Sequence, residues 1–142
     1  MTTPSDSAAS DAALLALRPA ISLSVSEADA GTTGSFLHQT LRPVLKLQNE
    51  RLLTTVADFL ADHHVPYHTA SATERQRLVT ELLTRNTKLR YTVIGLIAGL
   101  FTSEEYVFYR AHRSELNRRL LELAVRRVQD QTEPIAAFLP HP

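Results

Sequence analysis

The sequence predicts an all-α protein, a four- to five-helix bundle with a disordered N-terminal arm, and three observations support this class. Apolar residues recur at three- and four-residue steps through most of residues 36–131, which is the spacing of one face of a helix. No segment alternates apolar and polar residues for the length of a strand, and no Asn-Gly or Asp-Gly hairpin turn occurs. Apolar residues make up 44% of the 142 residues, which is enough for the core of one domain.

Residues 1–35 are predicted to form a flexible acidic arm. They are rich in Ser, Thr, Ala, Asp and Gly, and cannot bury enough apolar surface to offset the entropy of ordering. Segment 14–21 is the exception, because its leucines are able to dock on the core. The arm carries one Arg against four acids, whereas residues 36–131 carry 14 basic and 10 acidic residues. Residues 132–142 are predicted to be a C-terminal tail.

The first helix of the bundle is predicted to run from Thr40, as its N-cap, to about Asp62. Pro43 then falls in the first turn, where its missing N–H is tolerated. A second, shorter helix is predicted to begin at Ser71, because Ser-Ala-Thr-Glu has the spacing of a capping box. We expect this helix to end near Asn86.

The third helix is predicted from about Lys88 to Phe101 and is apolar on most of its faces, so we expect it to be the most buried. Its Gly95 and Gly99 lie four residues apart. Since Gly in a helix interior costs about 1 kcal/mol against Ala, we expect another helix backbone to approach these two positions closely.

The last predicted helix begins at a second capping box, Thr102-Ser-Glu-Glu105. It either continues or restarts at Ser114 and runs to about Gln131. Glu133-Pro134 is expected to end it, because the residue before a proline is disfavoured in helical conformation.

Composition excludes several classes of protein. The chain has no cysteine, which excludes disulfide scaffolds, zinc fingers and thiol catalysis. A formal net charge of zero disfavours a uniformly basic nucleic-acid binder, so nucleic acid is an unlikely partner. The most apolar segment, 91–101, is far shorter than the roughly 20 residues of a membrane span. We expect no membrane partner and a cytoplasmic location.

Two asparagines interrupt apolar stripes. Asn49 and Asn117 occupy positions where an aliphatic residue is expected, and a buried amide without partners costs about 1–3 kcal/mol. The two amides are able to bond each other, to fix helix register or to line a polar pocket, and a structural role is favoured. The candidates for such a pocket between helices are Arg42, Asn49, Arg90, Tyr109, Asn117 and Arg119.

Arginines account for 13 of the 15 basic residues, and an Arg fork recognises carboxylates and phosphates in a bidentate manner. The pairs 118–119 and 126–127 recur eight residues apart, and with Arg42 and Arg90 they are candidates for an anion site. Acidic residues nearby on the same helix are expected to offset this charge, so we favour a solvated surface.

Three histidines, His63, His64 and His68, are weak candidates for metal ligands, because imidazole and carboxylate groups bind zinc and Asp62 is adjacent. Their spacing matches no metal motif, so no metal site is predicted. Catalytic motifs are also missing, among them the nucleophile elbow, the phosphate loop and the dinucleotide fingerprint. We expect no cofactor and lean against an enzyme.

Three runs resemble a family of small, all-helical bacterial proteins of uncharacterised function, some labelled automatically as glyoxalases: LRPVLKLQNERLL (41–53), LRYTVIGLIAGLFTSEEY (89–106) and ELNRRLLELAVRRVQDQ (115–131). The resemblance extends from about Leu17 to Gln131. The features that recur in the family fall here on Arg42, Pro43, Lys46, Gln48, Asn49, Gly95, Gly99, Phe101, Thr102, Glu105, Tyr106, Asn117 and Arg119. The resemblance implies a helical fold but no activity, since metal-dependent glyoxalases are β-rich and no strand pattern occurs here.

The favoured function is a non-enzymatic helical interaction or regulatory protein that acts through protein–protein contacts, with homo-oligomers expected. Wide apolar faces, the lack of catalytic motifs and an acidic arm beside a basic core support it. The alternative is a small-ligand- or metal-binding enzyme with a polar pocket between helices. A weaker alternative is a nucleic-acid accessory factor.

Overall fold

The computed structural model describes residues 4–19 and 31–140, and all regular structure within these ranges is helical, which confirms the all-α class. The helices are shorter and more numerous than the four or five predicted. They are α1 (Pro4–Leu17), α2 (Thr33–Phe36), a π-helix (Leu37–Leu41), α3 (Arg42–Leu47), α4 (Asn49–Asp62), α5 (Ala72–Arg85), α6 (Thr87–Ala98), α7 (Ser103–Ala111), α8 (Arg113–Gln129) and α9 (Thr132–Phe138).

The first predicted helix begins earlier than expected. Thr32, not Thr40, is the N-cap of α2, and its hydroxyl accepts a hydrogen bond from the Ser35 amide at 3.0 Å. Thr40 lies buried inside the helical segment instead. The capping prediction at Thr40 is therefore wrong, because an earlier threonine in the sequence fulfils that role.

Pro43 shapes the turn that precedes it. A proline has no N–H to donate, and the preceding turn widens into a π-helix in which the Arg42 amide donates to the Leu37 carbonyl. Further along, Gln48 adopts φ −94° and ψ 13°, which separates α3 from α4. The predicted single helix is thus a chain of short helices that turns around the core.

Helix α8 is the central element, since α4, α5, α6, α7, α9 and the π-helix all pack against it. Its core side chains are buried at three- and four-residue steps: Leu116, Leu120, Leu121, Ala124 and Val128. The prediction that the third helix is the most buried is wrong, because only one face of α6 points to the core. That face carries Leu89, Val93 and Ile97.

The two predicted capping boxes differ in the structure. At Thr102 the box is complete, since its hydroxyl accepts from the Glu105 amide while the Glu105 carboxylate accepts from the Thr102 amide. At Ser71 the hydroxyl accepts from the Glu74 amide at 3.2 Å, whereas the carboxylate of Glu74 pairs with Arg77.

The C-terminal segment was predicted as a tail, and this is wrong for residues 132–139. These residues form α9 and the turn after it, which pack on α4. Ile135 is fully buried, and the Tyr67 hydroxyl donates to the Thr132 carbonyl at 2.6 Å. Pro134 lies in the first turn of α9, where its missing N–H is tolerated, so it does not end the helical region.

The N-terminal segment also differs from the predicted flexible arm, because α1 is helical. Segment 14–21 contacts the core through Arg18, whose guanidinium donates to both carboxylate oxygens of Glu105 at 2.5 and 2.6 Å. Its leucines contribute less than expected, since Leu15 and Leu17 are more than half exposed. Residues 1–3 and 20–30 of the predicted arm, which include the end of segment 14–21, lie outside the described residues.

The helices of residues 4–19 and 31–140 include none that is both long enough and apolar enough to cross a membrane.

Candidate functional site

The six residues predicted to line one polar pocket fall into two groups, with Arg119 apart from both. Arg42 lines a cleft between α3 and the C-terminal end of α8, and Asn49 bonds side chains of that cleft. Arg90 and Asn117 line one groove between α6 and α8, and Tyr109 donates a hydrogen bond to Asn117. Arg119 is exposed on α8 and lines neither the cleft nor the groove.

Arg90 lies in grooves between α6 and α8, away from Arg42. Its guanidinium donates to the Thr84 carbonyl at 3.0 Å, in the last turn of α5. Its neighbour across the groove, Arg118, pairs with Glu122 at 2.9 Å. Arg90 therefore helps to satisfy a helix end, which is a structural task.

Asn49 is fully engaged by neighbours on α8 and the turn after it. Its amide N–H donates to Gln131 Oε1 at 2.7 Å, and Gln131 Nε2 donates back to Asn49 Oδ1 at 2.8 Å. Arg127 Nη1 donates to the same Asn49 oxygen at 3.3 Å. Asn49 therefore fixes the junction of α4 with α8 and holds Arg127 in place, and it does not bond Asn117.

The cleft beside this network has a volume of about 700 Å³. Two leucines, Leu45 and Leu123, form apolar parts of its wall. Its charged members come from the π-helix and α3, where positions 38, 42 and 46 recur every four residues, and from the C-terminal end of α8 with the residue that follows it. We call this surface the basic cleft, and its charged or titratable residues are His38, Arg42, Lys46, Arg126, Arg127 and Asp130.

The basic cleft carries more positive than negative charge. In the part of the chain that the structure describes, Arg42, Lys46, Arg126 and Arg127 form no ion pair. Burial lowers the pKa of Arg127, and the positive charge of Arg42 lowers it further. Two guanidinium groups thus act on each other without a carboxylate between them.

A second surface lies on the outer side of α6. Tyr91, Gly95 and Gly99 are all exposed, and we call them the α6 face. The side chain of Tyr91 is 67% exposed. Apart from the chain neighbours of Gly95 and the backbone of its own helix, no atom of the described residues lies within 4 Å of where a Cβ of Gly95 would stand. The predicted close approach of a neighbouring helix is therefore not made by the residues that the structure describes.

Gly99 has a local reason to be glycine. A Cβ at this position would lie 2.9 Å from the Gly95 carbonyl oxygen, which is too close for backbone atoms. Gly95 has no such constraint, so nothing inside the described chain explains it.

Tyr109 and Asn117 form a compact polar pair. The Tyr109 hydroxyl donates to Asn117 Oδ1 at 2.5 Å, and the Arg113 guanidinium lies 5.7 Å from the Tyr109 ring. Burial raises the pKa of Tyr109 and outweighs the lowering by Asn117 and Arg113. The phenol stays neutral and serves as a hydrogen-bond donor, which is a packing role.

The three histidines of the predicted loop do not form a metal site. His63 Nδ1 lies 2.8 Å from the Phe59 carbonyl and its Nε2 lies 3.2 Å from Asn86 Nδ2, so a hydrogen bond occupies each ring nitrogen. His68 lies next to the Pro140 carbonyl at 3.3 Å. Among residues 4–19 and 31–140, no three His, Cys, Asp or Glu side chains are grouped to hold a metal ion.

The contacts of Glu105 with Arg18 and Thr40 were not predicted from the sequence. Besides Arg18 and the Thr102 amide, the hydroxyl of buried Thr40 donates to this carboxylate at 2.9 Å. Burial raises the pKa of Glu105, but the hydrogen bonds from Arg18, Thr102 and Thr40 outweigh this and lower it. Thr40 and Arg18 are 65 and 87 residues away from Glu105 in the sequence, so local patterns contain no signal for these two contacts.

No family model matches the chain, and no curated protein or solved structure matches it either. The resemblance to a helical bacterial family therefore stays a prediction. The basic cleft and the α6 face are the features of this molecule from which a function can be inferred.

Proposed function

We propose that the protein is a non-enzymatic helical interaction protein whose two copies associate through the α6 face. The observation that carries this proposal is the open space at Gly95. A glycine in an exposed helix costs about 1 kcal/mol against alanine, and no neighbour in the described chain offsets that cost. Close packing of a second helix is the usual gain from a small residue at such a position.

The spacing of the α6 face fits a second copy of the same chain. Tyr91, Gly95 and Gly99 follow each other at four-residue steps and so lie on one side of the helix. In an antiparallel pair centred on Gly95, each Tyr91 lies opposite Gly99 of the other copy, because both are four residues from the centre. A tyrosine ring then covers bare backbone twice, in a twofold-symmetric contact.

Charges beyond the α6 face support the same arrangement. Lys88 precedes Gly95 by seven residues, and Glu104 follows it by nine, in the first turn of α7. Both are exposed, and neither makes an ion pair with the described residues. An antiparallel pair brings Lys88 of each copy towards Glu104 of the other.

The alternative of an enzyme with one polar pocket has less support, because its six candidate residues are divided between the cleft at Arg42, the groove at Arg90 and the exposed position of Arg119. The proposal keeps the cytoplasmic location expected from the sequence, which cell fractionation tests.

Size-exclusion chromatography with light scattering tests the proposal. Over a concentration series we expect a mass of about twice 15.8 kDa at the upper end. Gly95→Leu fills the centre of the contact and is expected to leave a monomer. Arg51→Leu adds the same side chain at an exposed position on α4 and is expected to associate normally. A monomer at every concentration, or a Gly95→Leu variant that still associates, contradicts the proposal.

A further inference from the structure

The basic cleft concentrates positive charge on a molecule that is otherwise balanced. The chain as a whole has 15 basic and 15 acidic residues, yet four permanent cations and one carboxylate line this cleft. Among the described residues, three basic side chains form ion pairs, Arg18, Arg77 and Arg118, and none of them lines this cleft. The excess positive charge of the cleft is therefore not balanced by the residues that line it.

We propose that the basic cleft binds a small molecule that carries a phosphate ester group. Arg42, Lys46, Arg126 and Arg127 surround the phosphate, and the half-buried Leu123 contacts the apolar part of the ligand. A volume of about 700 Å³ lies within the range of pockets that hold small ligands.

The hydrogen bonds of Arg127 favour an anion with several oxygen atoms. One N–H group of Arg127 donates to Asn49 Oδ1, which also accepts from Gln131. Its four other N–H donors make no hydrogen bond with the described residues. A preoriented fork of this kind suits the oxygens of a phosphate, to which guanidinium groups bind in a bidentate manner.

The charge of the ligand follows from the charge of the site. Arg42 and Arg127 already repel each other, as the lowered pKa of Arg127 reflects. A phosphate monoester carries about −1.5 to −2 at neutral pH, which relieves this repulsion more than a single carboxylate does. Leu123 adds apolar contact that inorganic phosphate leaves unused.

A small molecule fits better than nucleic acid. The excess charge is confined to one concave site, whereas a nucleic-acid surface tracks a phosphate backbone over a longer basic stripe. The basic cleft shares no residue with the α6 face. The test of phosphate binding is therefore independent of the test of self-association.

Isothermal titration calorimetry at about 0.15 M salt tests the proposal with phenyl phosphate, inorganic phosphate, citrate and a short DNA duplex as probes. We expect phenyl phosphate to bind with a Kd of about 1 mM or below and more tightly than inorganic phosphate or citrate. The same probe is expected to raise the Tm. Arg42→Gln is expected to weaken binding by roughly tenfold or more, as loss of a charged hydrogen bond does.

Arg119→Gln is the matched control, because Arg119 is exposed on α8 and does not line the cleft. It is expected to bind phenyl phosphate like the unmodified protein. Three results overturn the proposal: no heat and no Tm change with phenyl phosphate, equal binding by Arg42→Gln, or tighter binding of citrate or DNA than of phenyl phosphate. Since Arg42 makes no ion pair with the described residues, its replacement is expected to leave the fold intact.

Discussion

Asn49 and Gln131 hold each other by two reciprocal hydrogen bonds of 2.7 and 2.8 Å, which join the start of α4 to the turn between α8 and α9. Each amide uses both its oxygen and its N–H group, so neither is left unpaired in a half-buried place. This pair connects the core to the basic cleft, because Asn49 also accepts from Arg127.

Replacement of Asn49 by alanine is expected to lower the free energy of unfolding by about 2 kcal/mol, since Gln131 and Arg127 lose their partner. Asn117→Ala is the comparison, because it breaks only the bond with Tyr109, and we expect about 1 kcal/mol there. Urea denaturation of both variants measures the difference. Equal or reversed losses contradict the role assigned to Asn49.

The two glycines of the α6 face are expected to respond to alanine with opposite signs. Gly95→Ala has open space and gains about 1 kcal/mol of helix propensity, so the isolated monomer becomes more stable. In Gly99→Ala the new Cβ meets the Gly95 carbonyl oxygen at 2.9 Å, so stability falls. Denaturation at a protein concentration low enough to exclude association measures both. A loss of monomer stability in Gly95→Ala means that the position is packed within the chain.

Helix α9 is expected to be part of the cooperative fold. Ile135→Ala removes a fully buried side chain and is expected to cost about 3 kcal/mol. Phe138 on the same helix is 39% exposed, so Phe138→Ala is expected to cost less than half as much. The urea midpoints of the two variants test this prediction. Similar midpoints for the Ile135 variant and the unmodified protein would mean that residues 132–139 do not contribute to the stability of the fold.

The Glu105 cluster is expected to make stability depend on acid. The folded pKa of Glu105 is below its unfolded value, so its contribution is fully present above the unfolded pKa and is lost as pH falls through the folded pKa. Glu105→Gln is expected to cost about 2 kcal/mol at neutral pH and to flatten the decline of the unfolding free energy below about pH 5. Denaturant titrations at several pH values measure it.

Glu104→Gln provides the control for that experiment, because Glu104 is the exposed neighbour and forms no ion pair with the described residues. It is expected to retain the acid dependence of the unmodified protein. An identical pH profile for Glu105→Gln and the unmodified protein contradicts the role of the Arg18–Glu105 contact.

Local sequence patterns predicted the helices where caps and stripes are adjacent in the chain. The break between α5 and α6 at Asn86 and the start of α7 at the Thr102–Glu105 capping box were both predicted. In each case the residues that make the signal lie within four positions of one another in the sequence. The apolar stripe of α8 predicted the central helix for the same reason. The π-helix before Pro43 was not predicted, because a chain can accommodate the missing N–H of a proline in more than one backbone conformation.

The site residues were harder to predict because they depend on distant partners. Arg42 and Asn49 were predicted as polar positions of interest, but their neighbours Arg127 and Gln131 are brought near by α8 and the turn after it. The exposure of Tyr91 could not be predicted from composition either, because the segment 91–101 is apolar on most faces. Which side of α6 meets the core depends on where α8 packs.

Cysteine cross-linking across the α6 face tests the central claim most directly. The chain has no cysteine, so Gly95→Cys introduces a single thiol at the centre of the proposed contact. A disulfide needs Cα atoms about 4.4–6.8 Å apart, which an antiparallel pair centred on Gly95 provides. Under mild oxidation we predict a covalent dimer from Gly95→Cys and far less from Arg51→Cys on exposed α4. Cross-linking of Gly95→Cys no faster than that of Arg51→Cys would contradict the claim.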